Sequence, residues 1–129
     1  MHTFSFGNGT NANIEFDYND KDMGGWGLWV YWNSMGGGNK VTTTTPYTDG
    51  KWHHMALVRQ GQVMKVYVDG KAIGASAYVP AINVSGLVKR TIGIQSGGSL
   101  AYLGWLDEVR MVKGAAKWTA NFLPPTAAY

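Results

Sequence analysis

The sequence predicts an all-β protein folded as an antiparallel sandwich, and three observations carry that prediction. Apolar residues recur with a period of two through most of the chain, as in strands with one wet face. Glycine is abundant, 18 of 129 residues, and helix-favouring runs are few, which indicates turn-rich β architecture. The last quarter reads Trp105-Leu106-Asp107-Glu108-Val109-Arg110-Met111-Val112, a half-buried strand, followed by a Gly114-Ala115-Ala116 connector. Its extended tail then ends in Pro124-Pro125, a pair that cannot be helical.

Each element follows from local pattern. Residues 3–6 and 14–18 are two short N-terminal strands, with Ile14, Phe16 and Tyr18 on one face and Glu15 and Asp17 on the other. Residues 26–32 place Trp26, Leu28, Val30 and Trp32 on one side and Trp29 and Tyr31 on the other. A strand apolar on both faces is either covered twice or presents aromatics to a partner. Residues 41–45 are β-branched and stop at Pro46, which suits an edge strand. Residues 52–59 and 63–68 form a hairpin across Gln60-Gly61-Gln62, and Asp69-Gly70 makes the next tight turn because that pair tolerates positive φ. Further strands are expected near Ile73, at 91–95, at Tyr102-Leu103 and at 106–112. The last breaks strict alternation, so a bulge is expected near Asp107-Glu108. The one helical candidate is a short turn at 114–117.

Composition bounds the rest. A chain of 129 residues supports a single domain, 1–129, with one core. There is no cysteine, so neither a disulfide nor a thiol nucleophile is available, and assembly in a reducing cytosol suits the chain. No run of about eighteen apolar residues is present, so no membrane partner is expected. A net charge of +3 with singly scattered basic residues argues against nucleic acid. Gly36-Gly37-Gly38 has no helix behind it and does not form a phosphate cradle.

Asp49-Gly50-Lys51-Trp52-His53-His54-Met55-Ala56-Leu57-Val58-Arg59, then Val66-Tyr67-Val68-Asp69-Gly70-Lys71, then the 105–112 segment, form a signature in order and spacing. Together they resemble the laminin-G-like, concanavalin-A-like jelly-roll domains. The ending, from Lys113 through Trp118 and Asn121-Phe122-Leu123 to Pro124-Pro125-Thr126, is similar to the version carried by bacteriophage structural proteins. The resemblance covers roughly residues 49–129 and implies an antiparallel jelly-roll β-sandwich with Trp52 and Trp105 in its core. Such domains usually carry more strands ahead of the segment matching 26–32; here 25 residues precede it, so the sandwich is expected to be abbreviated at its N-terminus. Open edges recruit other chains, so the expected partners are further copies of this chain, a trimer for example.

Candidate chemistry is sparse. Retaining glucanases of the resembling superfamily place carboxylates on alternate positions of one strand, and Glu15, Asp17 and Asp20 approximate that spacing. The third residue is Asp rather than Glu and the chain is small, so a glycoside hydrolase is a remote alternative and no catalytic residue is assigned. Asp17, Asn19, Asp20 and Asp22 offer oxygen ligands for calcium, the one cofactor considered, although Lys21 interrupts them. Adjacent His53 and His54 point to opposite faces of a strand and cannot chelate one ion together. Asp107 and Glu108 are expected to be structural, pairing with Arg110, Arg59 or backbone.

The aromatics remain. A sugar ring stacks on Trp or Tyr while amides take its oxygens. The candidates for glycan or partner binding are Trp29, Tyr31, Tyr47, Tyr102 and Trp118, with Asn33, Asn39 and Gln95 as polar neighbours. The resemblance to bacteriophage structural proteins implies a non-enzymatic phage-type virion surface protein, assembled in the host cytoplasm. The favoured version is a capsid decoration or cement protein seated on the major capsid protein. The other is a tail or fibre adhesion module that binds host-surface glycan. Aromatics flat on a sheet favour assembly, and aromatics at loop tips favour sugar.

Overall fold

The computed structural model describes residues 2–7, 12–18, 28–32, 39–42, 45, 47, 49–77, 89–99 and 101–127. Among them, eight strands form two antiparallel sheets: β1 (His2–Gly7), β2 (Ala12–Tyr18), β3 (Leu28–Trp32), β4 (Asn39–Thr42), β5 (Met55–Gln60), β6 (Val63–Val68), β7 (Lys71–Ala77) and β8 (Lys89–Ile92). One sheet has the order β4-β3-β2-β1-β8 and the other β5-β6-β7. The all-β sandwich expected from period-two patterning is what the chain forms, and β4 is the expected edge strand.

The small sheet follows from its turns. Asp69 and Gly70 have φ of 49° and 75°, the left-handed pair of a two-residue hairpin, and they join β6 directly to β7. Gly61 at φ 59° opens the β5–β6 hairpin. Alternation then sorts β6 onto two faces. Met64, Val66 and Val68 meet Phe16 and Val41 of the other sheet to form the core between the layers. Tyr67, fully buried, points outward with Ala56 and Val58.

That outer face is covered by the C-terminal tail, which is neither strand nor helix; residues 114–117 form bends, not the helical turn expected. Three hydrogen bonds fasten it: Phe122 N–H to Gly70 O at 2.9 Å, Ala72 N–H to Asn121 Oδ1 at 2.9 Å, and Lys65 Nζ to Thr119 O at 2.9 Å. Gly70 is required here, because a Cβ would overlap the Phe122 carbonyl as well as meet a left-handed φ. At the far side, β4 packs against β7 where Gly74 leaves room for the Val41 side chain.

Residues 106–112 overturn the strand expectation. They pair with no strand among the described residues, and neither do Tyr102 and Leu103. Leu106, Val109, Met111 and Val112 are 40–64% exposed. The alternation does break at Asp107-Glu108, but as a kink instead of a bulge in a ladder. Glu108 takes a left-handed φ of 51°, and its N–H is held by Asp107 Oδ1 at 2.8 Å, so that donor is not offered to a neighbouring strand. Asp107 is thus structural, as expected.

Candidate functional site: the cleft beside β5

Because the layers are joined at β4 and β7 and the outer edge of β5 is unpaired among the described residues, a cleft of about 960 Å³ opens on the β5 side. Phe4, Ile14 and Phe16 line one wall, and Met55, Leu57 and Met64 the other. The loop before β5 and residues 105–118 border its mouth. Apolar walls with a few polar rim groups and this size are typical of ligand sites.

Two tryptophans stand at that border. Trp52 is 69% exposed and Trp105 is 84% exposed, and both line the cleft. Their expected place in the core is corrected: Trp52 lies in the irregular stretch ahead of β5, and Trp105 precedes the kinked unpaired segment, so neither is on a paired strand that would turn it inward. Arg59, Gln60 and Arg110 add hydrogen-bonding groups to the same cleft.

The loop carrying Trp52 is held by its neighbour. His53 places Nδ1 2.8 Å from Asp69 Oδ2 and Nε2 2.9 Å from Asp49 Oδ1. Asp69 also accepts the His54 N–H at 2.9 Å, and Asp49 accepts the Lys51 N–H at 3.0 Å. The hydrogen bond to Asp69 is the largest reason that the His53 pKa is raised; burial opposes it, and Asp49 adds to it. Burial pushes Asp69 up, but the hydrogen bonds from His53 and the His54 N–H outweigh it and leave the carboxyl below its usual range. Hydrogen bonds from His53 and then Lys51 lower Asp49. The His54 pKa is shifted the opposite way. Its ring meets Trp118 and Phe122 edge-on at 5.3 and 5.5 Å, and burial lowers its pKa. Its Nδ1 and the Tyr67 hydroxyl are buried without a hydrogen-bond partner among the described residues.

The other expected residues distribute as follows. Tyr47 is half-buried, its ring edge-on to His53 at 5.3 Å, and burial followed by the Asp69 charge raises its hydroxyl pKa. Tyr102 is half-buried against the core and donates its N–H to Gly93 O at 2.7 Å. Both line the cleft. Trp118 does so too, but it stacks on Phe122 at 4.1 Å and 6°, so one face of its ring is committed to covering Tyr67 and not free for a sugar. Trp29 and Tyr31 lie within β3 in register with Asp17 and Glu15, and Asn39 on β4 pairs with Trp32. Their side chains, that of Asp17, and residues Asn19, Asp20, Asp22 and Asn33 lie outside the described residues.

Glu15 is 6% exposed, in contrast to the wet face expected of its strand. Its carboxylate takes the Ser5 hydroxyl at 3.4 Å and Gln95 Nε2 at 3.2 Å, beneath the turn whose Ser96 N–H bonds Ser5 Oγ at 3.2 Å. Gln95 is thus engaged internally. Among the described residues no group of three or more His, Asp or Glu side chains is arranged to hold a metal ion.

Comparison with known proteins completes the picture. A family model described as the concanavalin A-like lectin/glucanases superfamily matches residues 1–119. Among solved structures, an S-layer domain-containing protein (residues 221–444) from Clostridium thermocellum ATCC 27405 is 19% identical with a TM-score of 0.45. The alignment covers 88% of this chain and 57% of that one, so the chain spans little more than half of that relative. No curated protein matches the chain.

Proposed function

We propose, from the premise that this chain belongs to the concanavalin A-like lectin/glucanases superfamily, that it is a non-enzymatic carbohydrate-binding module using the cleft beside β5. The observation that carries this reading is the pair Trp52 and Trp105, both largely exposed and both lining one cleft. Large apolar rings left in water at a polar-rimmed cleft are suited to stacking on the apolar face of a pyranose, with the Gln60 amide at the same cleft to meet its hydroxyls. The similarity of the C-terminal segment to phage structural proteins supports display on a tail or fibre, with host-surface glycan as the target. A glycan array probed with the wild-type chain tests this. One or more glycans should bind, and Trp52→Ala and Trp105→Ala should each weaken the best by about tenfold, equivalent to ~1.4 kcal/mol. An array blank for wild type contradicts the reading.

A second reading, the capsid decoration protein, is favoured by the edge of β5, unpaired among the described residues, together with the exposed Val109, Met111 and Val112 that line the same cleft. Such an edge accepts a strand from another chain through backbone hydrogen bonds. It predicts an oligomer by light scattering and co-sedimentation with capsid shells. A monomer that leaves shells in the supernatant contradicts it.

A further inference from the structure

His53 lies under the loop that carries Trp52, and both of its ring nitrogens are occupied by carboxylate oxygens, at 2.8 and 2.9 Å. A carboxylate only accepts hydrogen bonds, and a neutral imidazole has one N–H, so the neutral ring would turn a lone pair toward one of these oxygens. Both contacts are satisfied together only by the imidazolium. The two carboxylates are themselves fixed from different parts of the chain. Asp69 sits in the β6–β7 turn, takes the His54 N–H, and donates its own N–H to His54 O at 2.8 Å. Asp49 closes on the Lys51 N–H, and Lys51 Nζ is 3.7 Å from its other oxygen. The cation therefore ties the start of the loop to a rigid hairpin, with Trp52 between the two attachment points.

From this the geometry points to His53 as a positioning residue that presents Trp52 at the cleft only while its ring is protonated, which makes ligand binding dependent on pH. The assignment of Trp52 to ligand contact rests on the carbohydrate reading; the clasp itself does not. The groups facing the ring are Asp49 and Asp69, the Tyr47 ring edge, Lys51 through Asp49, and His54 on the far side of the strand. Tyr47, with its pKa raised, stays neutral, so the two carboxylates dominate. Loss of the proton leaves the ring able to keep one carboxylate, and the Asp49 end is released because Asp69 is the more firmly held.

Heteronuclear NMR of the whole chain between pH 5 and 9 tests this without any sugar. The His53 ring should titrate above about 6.5, the unperturbed value. The Trp52 indole N–H resonance should move with the same midpoint, and Asp69→Asn should bring both back toward the unperturbed value while the β6 amide resonances stay in place. A His53 ring that titrates at or below that value, or a Trp52 resonance that ignores His53, overturns the proposal. On the glycan array, signal should fall at least about fivefold from pH 6 to pH 9 in wild type and be flat in His53→Gln, and an equal fall in the variant also overturns it. An array blank at every pH, with the coupled NMR titration intact, leaves the clasp standing and removes only the carbohydrate reading.

Discussion

Residues 55–77 and residues 101–118 have comparable apolar content, yet one is a three-stranded sheet and the other, beyond a single bridge at Ala101, forms no strand among the described residues. The first is built from two hairpins whose turns, Gly61 and Asp69-Gly70, bring each strand back beside the last within two residues. Its pairing is local and its side chains sort onto two covered faces, the core on one side and the tail on the other. The second would have to pair with β5, about fifty residues earlier in the chain, and Glu108 at φ 51° bends it off the extended line before it can. Alternating hydrophobicity describes which face a strand would bury. It does not supply the partner.

Substitutions of like kind in the two regions should diverge. Met64→Ala, in the core at 2% exposure, should cost about 2–5 kcal/mol, whereas Met111→Ala, at 64% exposure, should stay within about 0.5 kcal/mol in denaturant unfolding. Equal losses would mean that 106–112 is packed in solution. Gly70→Ala comes next. It forces a Cβ into the Phe122 carbonyl and should cost upwards of about 2–3 kcal/mol, against about 1–2 kcal/mol for Gly114→Ala, where φ is 90° but nothing lies within 4 Å. Asn121→Ala removes one exposed hydrogen bond to Ala72 N–H and should cost about 1 kcal/mol, with faster amide exchange at Ala72 as its local signature.

The smallest effect is the pH dependence of the clasp, and its sign is fixed. A His53 pKa raised by folding contributes stability that is fully present below the unfolded value and lost as pH rises through the folded one. Asp49 and Asp69, lowered by folding, contribute stability that is present above the unfolded carboxylate range and lost as pH falls through their folded values. The clasp is thus most stabilising between the carboxylate and histidine ranges. Asp69→Asn should flatten the thermal stability profile above neutrality, and an unchanged profile would remove the imidazolium from the account.

Much of the framework was legible from residue pattern: β1, β2, β6, the β4 edge and the Asp69-Gly70 turn all follow from periodicity of two and from residues that tolerate positive φ. The family signature fell on β5, on β6 with its turn, and on 105–112, which pairs with no strand among the described residues. What was not legible depends on contacts between distant residues. Trp52 and Trp105 carry no mark that distinguishes a core tryptophan from one left at a cleft, because only the pairing of β5 with its neighbours decides it. Glu15 looks solvated until the turn at Gln95-Ser96, some eighty residues on, closes over it. Likewise Trp118 offers an aromatic ring that could face sugar, and only the three hydrogen bonds of the tail show that it faces Phe122.

The binding account requires the cleft beside β5 to be open in solution, and hydrogen–deuterium exchange followed by mass spectrometry measures that directly. Amides of residues 106–112 should exchange like an unpaired chain, together with those amides of β5 that face the open edge, while those of 64–68 exchange many orders of magnitude more slowly. Protection over 106–112 equal to that of β6 would mean that this segment already occupies the β5 edge, leaving no cleft for a sugar to enter.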